Sequence, residues 1–366
     1  MMHKASHEDL PVLTIIGSRG ASSNYGGFET LVKILQARVV GPRIEISEIS
    51  TPHPERSKLN YLTGKYLETV LTGIKMSFSV PNTGNSVVLI LNPINIIAAL
   101  ILTRRRIFVV IHMDGRDDLR KKWSPPVRIL INFSQKLCLW SRIPLIFDSV
   151  AVRSEVGGRN FWEYELIAYG GCESCERRRR TWKMNVNSRS FLTLARAEPE
   201  NQLLEVVRAF GVLKTLKRLR VVSTARYKGK YWKALVEEVS RNSSVELVDG
   251  IWYKEQLCLM YREVSAVVHG HTVGGTNPSL VLALCHGTPV LAHDNPYNRE
   301  VAGSMARYWK NEEELTRLLD EFDPASWPYD QAAVDDFNRR YNWDDVVEKY
   351  RVVLGLSGPT GTSTTN

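Results

Sequence analysis

HGHTVGGTNPSLVLALCHGTPVLAHDNPYNRE, running from His269 to Glu300, decides the fold of this chain. Val264, Ala266, Val267 and Val268 lead into it as an apolar strand that ends at Gly270. Gly274-Gly275-Thr276-Asn277-Pro278-Ser279 then forms a loop, Leu280 to Leu284 a short apolar helix, and Gly287 its stop. Pro289 to Ala292 returns as a buried strand, followed by a polar loop. Strand, glycine loop, helix and strand in one run is the unit of a parallel sheet. Glycines after a strand let the backbone come close to a ligand, and the N–H groups of the next helix start favour an anion. Thr276, Asn277 and Ser279 are all residues that cap or hydrogen-bond at such a start. A phosphate-containing ligand is the natural guest; a plain βα turn packed by glycines is the competing reading.

The chain has 366 residues, enough for two domains with a core each. A hydrophobic content of 43% and a charged content of 24% are those of a soluble globular protein. The net charge of +9 points to an anionic partner, a nucleotide or a phospholipid surface. No motif supports nucleic acid, so none is expected as a partner. Five cysteines, odd in number and scattered, suit a reducing compartment. Cys172-x-x-Cys175 has neither a second CxxC nor a paired His nearby in sequence, so free thiols are expected there. Met1 to Leu10 is polar and charged and carries no secretory signal. Val87 to Leu102 is the most membrane-like run, but Asn92-Pro93 and Asn95 break it into a strand and a helix. A cytoplasmic protein follows, one able to sit on the inner face of the plasma membrane.

The N-terminal half opens with the apolar strand Val12 to Ile16, then Gly17-Ser18-Arg19-Gly20 and Tyr25-Gly26-Gly27. Phe28, Leu31, Val32 and Leu35 follow at helical spacing, which makes this the first βα unit of a doubly wound domain. Gly26 and Gly27 at the helix start suit a diphosphate or an acceptor, and Arg19 can pair with the same anion; a tight turn packed by glycines is the alternative. Glu29 is either a helix-start carboxylate or a ligand to an acceptor hydroxyl. Further strands are predicted at Ile44 to Ile49, Val87 to Leu91 and Ile107 to Ile111, with Ile146 to Ser149 as the last of this domain. His112 and Asp114 stand just past a strand end, where open α/β sheets face their ligand, and are the candidates for sugar contact and catalysis. A packed His and a capping Asp are the competing reading.

Two motifs, Tyr25 to Thr30 (YGGFET) and the GGTNPSL–GTPVLAHDNPYNREV run, stand in order and far apart. Together they resemble the bacterial subgroup of the retaining family 4 GT-B glycosyltransferases. Asp114-Gly115 with Arg120, Lys122 and Trp123 resembles that subgroup's DG-x-E-W-x-R-x-K-W stretch, and Ile167 to Gly171 resembles its PYGA turn. Arg196-Ala197-Glu198-Pro199-Glu200-Asn201 resembles its AR-x-EPEN motif. The resemblance implies two Rossmann-like α/β domains facing a cleft: an acceptor-side domain over 1–187 and a nucleotide-sugar domain over 188–354. It also implies a closing helix, about 332–354, that packs back on the first domain; the Gly/Ser/Thr-rich tail 355–366 reads as disordered. Glu176 with Arg177 to Arg180 reads as the interdomain linker.

By the same resemblance Arg196 binds the donor's pyrophosphate, with Asn201, Gly274, Gly275, Thr276, Asn277 and Ser279 on the donor side; a structural salt bridge from Arg196 to Glu198 or Glu200 is the competing reading. Glu300 is either an acceptor for a sugar or nucleotide hydroxyl, or a capping carboxylate. No cofactor and no metal are expected, and His269-x-His271 shows no third ligand. The implied activity is retaining transfer from a nucleotide-sugar donor to a glycan or lipid-linked acceptor, in bacterial surface polysaccharide synthesis. One departure opposes it. Where the subgroup reads HEVGGTNPSLLEAM, this chain has Thr272 and Leu282 at the two Glu positions. Leucine cannot accept from ribose hydroxyls, a loss of about 1–3 kcal/mol in donor binding. A catalytically silent GT-B scaffold that partners an active transferase is therefore the second reading.

Overall fold

In the computed structural model, residues 11–18, 26–39, 43–47, 58–157, 164–172, 189–214, 216–224, 229–251 and 253–356 are described. The expected linker at Glu176 to Arg180 and the N-terminal run lie outside them. Short aliphatic runs form two sheets of six strands each. The first holds β1 (Val12–Ile16), β2 (Arg43–Ser47), β3 (Ser86–Ile90), β4 (Phe108–His112), β5 (Leu145–Phe147) and β6 (Tyr164–Leu166), in the order β2-β1-β3-β4-β5-β6. The second holds β7 (Ser190–Leu194), β8 (Arg218–Val222), β9 (Val245–Val248), β10 (Ala266–His269), β11 (Val290–His293) and β12 (Ala306–Trp309), in the order β12-β11-β10-β7-β8-β9.

Every pairing is parallel; Leu13 stands opposite both Ile44 and Val87, and Val267 opposite both Val290 and Leu192. Parallel strands are covered on both faces, which is why β3 and β10 are buried at every position. In the first sheet Leu13, Leu89 and Val110 face one core while Ile16, Ile90 and Val109 face the other. The second sheet divides in the same way, with Leu192 and Val267 on one side and Phe191 and Val268 on the other.

Helices α1 (Gly27–Arg38), α2 (Lys58–Ser79), α3 (Ile96–Arg104), α4 (Pro125–Trp140) and α5 (Val150–Val156) cover the first sheet. Around the second lie α6 (Leu203–Gly211), α7 (Lys230–Ser240), α8 (Lys254–Glu263), α9 (Pro278–Cys285), α10 (Pro296–Ala302) and α11 (Glu312–Asp320). Two helices close the chain, α12 (Gln331–Arg340) and α13 (Trp343–Val353). No helix among the described residues is long and apolar enough to cross a membrane.

Several sequence expectations are corrected here. The stretch expected to be the last strand of the first domain, Ile146 to Ser149, is followed by β6, and β5 ends at Phe147. Asp148 and Ser149 instead form the turn into α5, where Ser149 caps the helix by accepting from the Val152 N–H. The closing helix is two helices. Phe337 of α12 stays in the core of the second sheet, whereas Trp343, Val346, Val347 and Tyr350 of α13 pack with Leu31, Val32 and Leu35 of α1. Asn342 makes the break by capping α13 at the Asp344 N–H. Leu356 is buried in the same core, so the tail does not start at residue 355; residues 357–366 lie outside the described ones. Cys172 is disulfide-bonded, against the expectation of a free thiol, and Cys175 lies outside the described residues.

Candidate active site

In each sheet the order of the strands reverses beside its first strand, between β1 and β3 and between β7 and β10. Ligand crevices of open α/β sheets form outside the strand ends at such points. Residues following β1, β3 and β4 on one side, and β7 and β10 on the other, line one cavity of about 540 Å³. That size suits a small-molecule site. The cavity brings together Gly26, Gly27, Glu29, His112, Asp114, Arg196, Gly274, Gly275, Thr276, Asn277 and Ser279.

The glycine loop does more than approach a ligand. A Cβ on Gly275 would lie 2.1 Å from Asp148 Oδ1, and one on Gly115 would lie 3.0 Å from the Gly274 carbonyl carbon. The loop of the second domain thus presses on the end of β5 and the loop after β4. The Thr276 N–H donates to Asp148 Oδ2 at 2.8 Å, and Asn277 accepts from the Ser279 N–H at 3.0 Å as the cap of α9. Two of the loop's N–H groups are therefore taken by side chains, a departure from the expected row of open donors.

His112 is buried, and its Nδ1 accepts from the Asp114 N–H at 3.0 Å. Burial lowers its pKa to about 4, so the ring is neutral and carries its proton on Nε2. Asp114 takes a left-handed backbone conformation, φ 55°, which Asp tolerates better than most residues. Burial and then the Asp117 charge push its carboxyl up to about 6, with Arg120 opposing. Asp148 is raised further, to about 7, by burial and then by Asp114. Its Oδ1 and the Nδ1 of His271 are buried without a hydrogen-bond partner, and both residues line the cavity. Unpaired buried polar atoms beside a cavity are where a ligand's hydroxyls fit.

Three cations line the same cavity as the glycine loop. Lys122 Nζ lies 3.4 Å and Arg196 Nη2 3.6 Å from the same Glu198 oxygen, while Arg120 pairs with Asp117. Burial works against each buried charge, yet Asp117 and Glu198 hold Arg120 protonated, and Arg120, Lys122 and Arg196 hold Asp117 below the usual carboxylate range. The two contacts to Glu198 are long, and one carboxylate is shared by two cations. A diphosphate, with more oxygens to offer, competes well for them.

Not every remaining candidate reaches the cavity. Asn201 is buried beneath the loop after β7, where its Nδ2 donates to the Arg196 carbonyl at 2.9 Å; it shapes the loop and does not line the cavity. Glu300 is also outside the cavity. It accepts from Ser149 Oγ at 2.6 Å and from the N–H groups of Val150 and Ala151 at 2.7 and 2.8 Å. It thus caps the start of α5 from across the two domains. Glu29 folds over its own helix start, where a Cβ on Gly26 would meet it at 1.9 Å. Arg19 lies outside the described residues. Thr272, at the first replaced Glu position, bonds through Oγ1 to the Glu200 carbonyl at 3.0 Å, and Leu282, at the second, lines the cavity as an apolar wall. Sequence reasoning missed Asp148, which had only its place at a strand end to mark it.

No family model and no curated protein matches the sequence. Solved structures do match its shape. A sucrose-phosphate synthase from Thermosynechococcus elongatus superposes with a TM-score of 0.74 at 14% identity, over 95% of this chain and 100% of that one. HepE from Anabaena, in complex with UDP, gives 0.64 at 14% identity, over 95% and 100%. Trehalose-6-phosphate synthase from E. coli, bound with UDP-2-fluoro glucose, gives 0.68 at 12% identity, over 95% and 99%. These likenesses, nearly complete in both directions, show that the chain has the GT-B fold: two Rossmann-like domains whose strand ends meet at a cleft.

Proposed function

We propose that this chain is a retaining glycosyltransferase of family 4 type, which moves a sugar from a nucleotide-sugar donor to a glycan or lipid-linked acceptor in bacterial surface polysaccharide synthesis. The observation that carries the reading is the cavity itself: it joins Arg120, Lys122, Arg196 and the glycine loop to His112 and Asp114. Cations on one wall suit the diphosphate, and they stabilise the charge that grows on it as the sugar leaves. His112, neutral and fixed by its bond to the Asp114 N–H, has an Nε2–H to offer a sugar hydroxyl. Two of the structures sharing the fold hold UDP or a UDP-sugar analogue, which supports a nucleotide-sugar as the donor class.

A lipid-linked acceptor is supported by the outer face of the first domain. Leu71 and Phe78 on α2, Ile97 on α3, and Ile129, Phe133 and Trp140 on α4 are all exposed, on helices that cover one side of the sheet. Such a face, with Arg104 and Lys136 among it, suits an anionic bilayer surface. The expected result is co-sedimentation with anionic vesicles and not with zwitterionic ones; equal recovery in both supernatants removes this part of the reading.

The silent-scaffold reading rests on Leu282, whose apolar side chain lines the cavity where a ribose acceptor would stand. Calorimetric titration of UDP, GDP and dTDP separates the two. Binding of one nucleotide, weakened at least tenfold by Arg196→Ala, is the result expected of a working donor site. Silence for all three in folded protein favours the scaffold.

A further inference from the structure

The segment that leaves β6 is clamped as it crosses to the second domain. The Gly171 N–H donates to the Tyr341 carbonyl at 2.6 Å, and Trp343 Nε1 donates to the Gly171 carbonyl at 2.7 Å. A Cβ on Gly171 would lie 2.4 Å from Cys285 Sγ, so only glycine lets the segment lie this close to the end of α9. The next residue is Cys172. Its Sγ is buried and lies 3.4 Å from the Sγ of Cys258 on α8. His286, just past α9, is buried beside them, its ring stacked on Tyr261 at a centroid distance of 5.7 Å. One donor atom from each of Cys172, Cys258 and His286 lies within 4.8 Å of the other two.

We propose that Cys172, Cys258 and His286 form a zinc site that clips the interdomain crossover to α8 and α9 of the second domain. A tetrahedral zinc ion bound by two thiolates and an imidazole holds its donor atoms about 3.5–3.8 Å apart, from Zn–S near 2.3 Å and Zn–N near 2.0 Å. The cluster reaches that arrangement by shifts of an ångström or so. Thiolate and imidazole are soft and borderline donors, which favour Zn²⁺ over Mg²⁺ or Ca²⁺. The three protein donors leave a fourth coordination position. The motif was discounted in the sequence because no His stood near Cys172; the fold supplies Cys258 and His286 from elements far along the chain.

The metal belongs to the reduced chain, since Cys172 is disulfide-bonded in this structure. Reduction by a low-molecular-weight thiol splits that bond with two electrons and two protons, giving two protein thiols and the oxidised reductant. Zn²⁺ then displaces one proton each from Cys172 and Cys258 and takes the lone pair of His286. The site is thus redox-gated: metal in reducing surroundings, disulfide in oxidising ones.

The test uses the full-length chain, purified and reconstituted with Zn²⁺ under a thiol reductant, desalted and analysed by elemental mass spectrometry. About one zinc per chain is expected, falling at least tenfold in Cys258→Ser and in His286→Ala. Cys138→Ser, whose thiol lies in the first-domain core, should keep it. Co²⁺ substitution of the unmutated chain gives a readout that does not depend on variant folding. Intense d–d bands of a tetrahedral ion, with thiolate-to-cobalt charge transfer in the near ultraviolet, are expected, and oxidised protein should show neither. No zinc in reduced protein, zinc retained in both ligand variants, or a weak octahedral cobalt spectrum would each overturn the proposal.

Discussion

Asp148→Asn isolates the cost of keeping an acid under the glycine loop. The carboxyl is pushed from its ordinary 3.8 to about 7, by burial first and by Asp114 second. An acid with a raised folded pKa works against folding as pH rises. Between about pH 4 and pH 7 the folded chain holds a proton that the unfolded chain has released, so stability falls through that window and the loss is complete above it. Integrating the linkage, Asp148 alone removes about 2–3 kcal/mol between about pH 5 and pH 8. Asparagine keeps the shape, still accepts from the Thr276 N–H, and has no proton to lose. Urea unfolding of both proteins at the two pH values, followed by tryptophan fluorescence, gives the comparison. The variant is expected to lose about 2–3 kcal/mol less than the parent on going to the higher pH. Parallel pH dependence in the two proteins, within about 0.5 kcal/mol, would refute the reasoning, because it would mean that Asp148 is solvated and ionises normally.

Three further outcomes follow from the same contacts. Gly275→Ala places a methyl 2.1 Å from Asp148 Oδ1, so it should destabilise by about 1–3 kcal/mol, and most of that loss should vanish in an Asp148→Ala background in a double-mutant cycle. Glu300→Ala should cost about 1–2 kcal/mol in thermal or urea unfolding, as loss of a helix cap does, with nucleotide affinity unchanged; a loss of affinity with intact stability would restore its donor-binding reading. Leu282→Glu should tighten binding of the preferred nucleotide by about 5- to 100-fold in calorimetry, the equivalent of one charged hydrogen bond, and no gain would mean the ribose does not reach that wall.

Much of this architecture is legible in the sequence, because parallel strands buried on both faces read as unbroken aliphatic runs. Val12 to Ile16, Val87 to Leu91 and the Val264 to Val268 run all stand out, and the glycines that follow them mark the ligand side of each sheet. Two of the edge strands do not. Tyr164–Leu166 carries a central Glu, and Ala306–Trp309 carries Arg307, so neither has the apolar run that reports burial. Glu300 was ambiguous because a carboxylate near a helix start serves a ligand or a helix dipole equally well; its 2.7 and 2.8 Å bonds to the start of α5 come from an element far away in sequence. Asp148 and the Cys172–Cys258–His286 group were invisible for a different reason. Their chemistry depends on neighbours that the fold alone brings together, 128 residues apart for Asp148 and Thr276 and 86 apart for the two cysteines.

The replaced carboxylates and the buried aspartates bear on one another. At the two positions where the sequence resemblance leads one to expect Glu, this chain spends Thr272 on the Glu200 carbonyl and presents Leu282 to the cavity, so the Leu282 side chain accepts no hydrogen bond there. Two acids of this cleft, Asp114 and Asp148, instead stand on the first domain beside the glycine loop. Their raised pKa values mean that part of this pair is protonated near neutrality, and a protonated carboxyl donates a hydrogen bond where an ionised one only accepts. A diphosphate, itself anionic, can lie beside a neutral acid and the Arg120–Lys122–Arg196 group, whereas two ionised aspartates would repel it. On the proposed reading, donor binding is therefore linked to proton uptake. Nucleotide affinity should fall as pH rises past about 7 in the parent chain and stay level in Asp148→Asn, which ties the stability measurement and the binding measurement to one proton.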